Sequence, residues 1–224
     1  MRHIDELLEQ LRAKLLEMSG LVQSAIHKSA RALRERDLSL AESVIKGECR
    51  INQLELDIDA LATSLLALEQ PVAADLRFIT AAAKINNNLE RIGDLAQNIA
   101  ERAQALISEP GFDVRVDISQ LADLVESMVQ MALDSFVRKD SQQARRVLFS
   151  DDGVDALRDS VFAQLIDYMK KNSQAVEYCV DLMFAARSLE RIADHATNIA
   201  ESVLFMTEGV DVRHHAHTTS QSIG

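Results

Sequence analysis

Apolar residues recur along this chain at steps of three and four, the period of a helix with one buried face. Ile4, Leu7, Leu8, Leu11, Leu15, Met18, Leu21, Val22, Ala25 and Ile26 mark a first helix from Ile4 to Arg36. Asp37 is placed as the N-cap of a second, Leu38 to about Glu69, whose inner face takes Leu40, Val44, Ile51, Leu54, Ile58, Leu61 and Leu65. Pro71 suits a first helical turn and opens a third helix reaching Ile107, with Leu76, Ile79, Ala83, Ile85, Leu89, Ile92, Ala96 and Ile99 inward. Ser108 to Asp117 holds a Pro-Gly dipeptide and alternating charge, the pattern of a linker. Beyond it three more helices are predicted: one to about Val137 behind the capping pair Asp117 and Gln120, one to about Lys170 behind Asp140 and Gln143, and one from the Asn172-Ser173 turn to near Thr207.

The second three helices repeat the first three. Asp37, Val44, Glu48, Ile51 and Leu54 match Asp140, Val147, Asp151, Val154 and Leu157 at an offset of 103, while Leu89 to Glu101 returns as Leu189 to Glu201 at an offset of 100. The second copy is therefore three residues shorter between these segments, at the turn before Asn172. The organisation predicted is all-α, two tandem three-helix bundles over residues 1–107 and 117–208, joined by a linker at 108–116 and followed by a mobile tail at 209–224. The tail's His214, His215 and His217 read as solvated side chains.

Two prolines and seven glycines in 224 residues leave little turn chemistry for an all-β fold, which strengthens the helical reading. A formal charge of −11, with no cluster of Lys and Arg, argues against nucleic acid as a ligand and for metal cations or basic protein surfaces. Cys49 and Cys179 are isolated and fit a reducing cytoplasm. Asp5 and Glu6 interrupt any secretory segment after Met1, and no apolar run is long enough to span a bilayer, so membrane contact is expected to be peripheral only.

Candidate chemistry lies in the most closely repeated segment. Ten of fourteen positions from Asn88 to Glu101 match Ser188 to Glu201. Glu90, Asp94 and Asn98, and again Glu190, Asp194 and Asn198, stack at four-residue spacing; at about 100° per residue they point away from the core residues Ile92, Leu95, Ala96 and Ile99. Neighbouring carboxylates repel, so the same polar residues placed twice ask for a cation or partner. The middle helices add Glu48 with Asn52 and Asp151 with Asp155, Glu55 and Asp59 prolonging the first stripe. Middle and last helices packed as neighbours would bring these pairs to one groove per unit, a hard-oxygen site suited to Mg²⁺, Mn²⁺, Ca²⁺ or ferric iron, with zinc also open. Arg91 and Arg191 stand beside the acids, and an Arg–carboxylate network is the rival to metal. His195 reads as a packed or supporting residue.

These motifs, with PVAADLR at Pro71 to Arg77, LERIGD at Leu89 to Asp94, NIAE at Asn98 to Glu101 and LERIADHATNIAE at Leu189 to Glu201, resemble the PhoU family of phosphate-transport regulators over nearly the whole length to Thr207. The resemblance implies a two-fold repeat of a three-helix bundle whose E/DxxxD motifs bind metal ions, iron, zinc, manganese or magnesium, through Glu48, Asn52, Glu90 and Asp94 in one half and Asp151, Asp155, Glu190 and Asp194 in the other. It implies regulation and no catalysis: restraint of a Pst-type phosphate ABC transporter through its ATPase, signalling to a PhoR-type membrane histidine kinase, and homodimers. Asn52 in place of an acid gives the first site one charge fewer and predicts weaker binding there. Gly93 against Ala193 is a small-for-small change with no expected consequence. A carboxylate-bridged di-iron enzyme and a metal-free helical adaptor remain the alternatives; the first lacks the histidine three residues after Glu90 and Glu190.

Overall fold

The computed structural model describes residues 3–108, 112, 114 and 116–210. Its helices are α1 (His3–Glu35), α2 (Leu38–Leu68), α3 (Ala73–Ser108), α4 (Ile118–Arg138), α5 (Ser141–Lys171) and α6 (Val176–Glu208), with a 3₁₀ turn, Ser173–Ala175, leading into the last. No strand occurs among the described residues.

Local chemistry sets most of the helix ends. Asp37 accepts hydrogen bonds from the backbone N–H groups of Ser39 (2.9 Å) and Leu40 (3.2 Å), and Asp140 accepts from Gln143 N (3.0 Å), so both act as the expected caps. Asp117 does not: its side chain makes no cap bond, and its Oδ2 instead accepts from Gln164 Nε2 of α5 at 3.1 Å. Pro71 also departs from expectation, standing ahead of α3, where Gln70 (φ 47°) and Ala73 (φ 40°) reverse the chain. A positive φ ends α6 as well, at Gly209 (φ 72°), whose N–H donates to Phe205 O; a side chain there would be strained. The two turns explain the changed repeat offset. Residues 69–72 join α2 to α3, whereas Asn172 alone separates α5 from the 3₁₀ turn.

Helices α1, α2 and α3 pack on one another, as do α4, α5 and α6; α3 also packs along α6, and α1 meets α4. The α3–α6 pairing is antiparallel, since Asn88 meets His195 while Arg102 meets Asp181. Each of these two helices is covered on several sides, which is why their buried faces are wide and rich in alanine, with Ala82, Ala96 and Ala100 in α3 and Ala186, Ala193 and Ala200 in α6. The two units therefore share one continuous core. Leu76, expected inside, is 44% exposed at the start of α3. The segment expected to link the units is anchored to that core: Phe112, Val114 and Val116 are half-buried against it, and the Phe112 ring meets Tyr178 edge-on at 5.6 Å. The tail's three histidines lie outside the described residues.

Candidate metal centre in two acidic grooves

Each acidic pair lies where a middle helix crosses a last helix. In the first unit the crossing is fixed by Gly93 of α3, where an added Cβ would sit 3.2 Å from the Ile51 side chain of α2. Glu48, Asn52 and Glu55 flank Ile51 on one side of this contact; Glu90 and Asp94 flank Gly93 on the other. In the second unit the equivalent residues are Val154 and Ala193. A methyl group gained on α6 is offset by one lost on α5, so the Gly-for-Ala difference has a packing partner that was not expected of it.

The second groove gathers its four acids. Partial burial, with Glu190, Asp151 and Asp155 nearby, raises the Asp194 carboxyl to about 6, Arg187 opposing. Burial, then Asp155, Asp152 and Glu190, also raises Asp151 above the ordinary carboxylate range. A cation is already built into this cluster. Arg158 of α5, 16% exposed, places its guanidinium 2.8 Å from Glu190 Oε1 and 3.3 Å from Asp155, with Asp159 at 2.8 Å. Arg187 Nε stands 3.6 Å from Glu190 Oε2, too far for a hydrogen bond, and that buried oxygen has no hydrogen-bond partner.

The first groove is assembled differently. At the position matching Arg158 stands Glu55, a reversal of charge. Burial first, then Asp94, raises the Glu90 carboxyl; Arg91 opposes this and Glu55 adds to it. Asn52 donates its amide to Glu48, so these two residues bond to each other. No ion pair or hydrogen bond among the described residues joins them to Glu90 or Asp94. Among the described residues Arg91 is the only guanidinium paired with these acids, 3.3 Å from Glu90 Oε2 and 3.2 Å from Asp94, and it is 53% exposed. Glu90 Oε2 is buried without a hydrogen bond, although Glu90 as a whole retains 18% of its exposure. Among the described residues no three or more His, Cys, Asp or Glu side chains already converge as a set able to hold a metal ion.

The two grooves thus differ in a way that sequence reasoning did not anticipate. Asn52 removes one charge from the first, but Arg158 introduces a positive charge into the second where the first has Glu55. Reading the middle helices at their offset of 103 to the end would have exposed the reversal. Arg91 pairs with the acids as the rival reading expected, whereas Arg191 has no carboxylate within ion-pair distance among the described residues; Arg158 and Arg187 hold Glu190 instead. His195 is half-buried at the α3–α6 contact and donates from Nδ1 to Asn88 Oδ1 at 2.8 Å, a supporting contact; burial, then Arg191 and Arg91, lowers its pKa. Buried, unbonded carboxylate oxygens beside further carboxylates are hard-cation chemistry. In the first groove Glu90 and Asp94 would hold such an ion only with Arg91 swung aside and Glu48 and Asn52 drawn towards them; in the second Arg158 must be displaced.

Comparison with known proteins agrees with this architecture. The sequence model of the PhoU domain matches residues 15–103 and 118–203, one match per unit. The phosphate-specific transport system accessory protein PhoU homolog of Pseudomonas aeruginosa is 41% identical over 209 residues, covering 92% of this chain and 86% of that one. The homolog of Aquifex aeolicus is 41% identical over 207 residues, covering 92% and 94%. The crystal structure of PhoU from Pseudomonas aeruginosa superposes with a TM-score of 0.90 at 38% identity, covering 93% of this chain and 100% of that one. The crystal structure of the phosphate transport system regulatory protein PhoU from Streptococcus pneumoniae gives 0.86 at 27% identity, covering 94% and 99%.

Proposed function

Because the chain belongs to the PhoU family, we propose that it is an accessory regulator of a phosphate-specific transport system, restraining phosphate uptake and holding phosphate-starvation signalling silent when phosphate is plentiful. Its targets in this reading are the ATPase of a Pst-type ABC transporter and a PhoR-type membrane histidine kinase, reached from the cytoplasm by a homodimer. No helix among the described residues is long and apolar enough to cross a membrane. Relatives named as accessory or regulatory proteins support control, not catalysis, as the role.

The acidic grooves are the working surface. Glu48, Asn52, Glu90 and Asp94 hold a metal ion in the first, and Asp151, Asp155, Glu190 and Asp194 do so in the second when Arg158 yields. Iron, zinc, manganese and magnesium all accept such oxygen donors. When bound, the ion neutralises the carboxylates and changes the sign of the potential that a partner meets. Glu90 Oε2 carries the reading: it is buried without a hydrogen bond and is met only by the exposed guanidinium of Arg91 at 3.3 Å, so a closer cation would stabilise it further. The charge reversal at Glu55 and Arg158 makes the first groove the tighter site, the opposite of the order that Asn52 alone suggests.

Metal analysis of purified wild type beside Asp94→Ala/Asp194→Ala tests this. The double variant should lose bound metal while its helical circular dichroism stays unchanged, since Asp194 is exposed and Asp94 half-exposed. Unchanged stoichiometry would remove these residues from the proposed ligands. Co-purification of transporter ATPase and kinase from phosphate-replete cells, with wild type and with the double variant, tests the partners.

A further inference from the structure

A cleft of about 440 Å³ opens where α3 crosses α6, beside the second groove, walled by Asn98 and Arg102 of α3 and by Phe184, Arg187, Ser188 and Arg191 of α6. Three guanidinium groups lining one cleft are unexpected in a chain of net charge −11. Their nearby acids do not balance them. Arg102 pairs with Asp181 at 3.1 Å and lies over the Phe184 ring, 5.1 Å from its centroid. Arg187 reaches Glu190 only at 3.6 Å, and that carboxylate already binds Arg158 at 2.8 Å. Arg191 has no carboxylate within ion-pair distance among the described residues.

The internal repeat supplies a control for this cluster. At the offset of 100, the positions equivalent to the cleft hold Asn198, Ser202, Lys84, Asn87, Asn88 and Arg91. There Lys84 lies over the Phe205 ring at 5.1 Å, and Arg91 is engaged by Glu90 and Asp94. The same helix crossing therefore forms without a cluster of three arginines, so packing does not require them. Like charges held together at a cost, beside a serine hydroxyl and an asparagine amide, point to a ligand that repays the cost. Forked guanidinium donors match the oxygens of a tetrahedral phosphoryl dianion.

We propose that this cleft binds a phosphoryl group, carried on inorganic phosphate or on a nucleotide. Arg191 and Arg187 contact its oxygens, Arg102 closes the site from α3, and Ser188 and Asn98 donate the remaining hydrogen bonds. Phe184, 53% exposed at the rim, offers a ring face that a nucleobase could share. This site borders the second groove at Arg187, 3.6 Å from Glu190, but its ligand is an anion and its binding needs no metal ion.

Isothermal titration of the full chain, stripped of metal with a chelator so that phosphate cannot bind through an ion, tests the proposal with inorganic phosphate, ADP and sulfate in parallel. Saturable binding of phosphate or ADP is expected, tighter than sulfate and weakened about tenfold or more by Arg191→Gln, as for loss of a charge-assisted contact. Arg191 is exposed, so the variant should keep its helical signal and melting temperature. Arg145→Gln, which removes a surface pair with Glu208 elsewhere, should leave binding unchanged. Binding of phosphate itself identifies the free anion as a ligand; binding of ADP alone identifies a nucleotide. Absence of saturable binding by either at millimolar concentration, or equal weakening by Arg145→Gln and Arg191→Gln, would overturn it.

Discussion

At the scale of single residues, Asp194 gives the metal-free protein a pH dependence of definite sign. Its carboxyl, near 6 when folded against 3.8 as a free side chain, holds a proton more tightly in the folded state. Its contribution to stability is therefore whole below about pH 4 and is lost as pH rises through 6. Asp194→Asn in chelator-treated protein should match wild type in thermal melts at pH 4 and exceed it at pH 8 by about 1 kcal/mol, a figure reduced for solvent screening of an exposed side chain. A stability difference independent of pH would contradict this. Arg158 is the converse case. Removing it leaves Glu190, only 12% exposed, facing Asp155 and Asp151 without its closest counter-charge. Arg158→Ala should destabilise the chain by about 2–3 kcal/mol at pH 8. Added Mn²⁺ should recover part of that loss in the variant more than it stabilises wild type, as followed by melting temperature.

At the scale of elements, the crossings α2–α3 and α5–α6 solve the same packing problem with different residue pairs. Ile51 faces Gly93 in one, and Val154 with Ala193 occupies the equivalent crossing in the other. Gly93→Ala gains helix propensity but pushes a Cβ to 3.2 Å from Ile51, and overpacking of this kind outweighs the gain by about 1 kcal/mol. Ile51→Val alone leaves a small void. The double variant Gly93→Ala/Ile51→Val reproduces the second crossing and should be more stable than either single variant, with a favourable coupling of about 1 kcal/mol in a denaturant double-mutant cycle. Additive effects would show that the two side chains do not meet. The same crossings place the acids: a helix that buries Ile51 and Ile58 and meets Gly93 has Glu48, Asn52 and Glu55 at the edge of its contact.

At the scale of the whole molecule, the antiparallel α3–α6 contact joins two homologous units around one core, and Phe112, Val114 and Val116 pack against it. Neither unit can unfold without exposing the inner face of the other. Calorimetric unfolding should therefore show a single transition whose calorimetric and van't Hoff enthalpies agree, although the chain is longer than most two-state proteins. Two resolved transitions would mean that the units are energetically independent. The same contact sets a pseudo-two-fold arrangement in which each groove and cleft has a counterpart, so differences between the halves become informative. Glu55 against Arg158 distinguishes the two grooves, and Arg187 against Asn87 distinguishes the two faces of the α3–α6 crossing.

The periodicity of apolar residues determined the six helices, most of their ends and the duplication, because burial of one helical face and capping of a first turn act within a few residues along the chain. The four-residue spacing of acids likewise placed Glu90 with Asp94 and Glu190 with Asp194 on one face each, since helix geometry alone fixes that relation. Asp117 and Pro71 escaped this reading because their neighbours in space, Gln164 and the reversed chain at Gln70, outweigh the local preference. Tertiary structure alone decided which charges meet across helices. Electrostatic attraction depends on distance through space, and only the packing of α5 on α6 and of α3 on α6 brought Arg158 to Glu190 and set Arg102 beside Arg187 and Arg191.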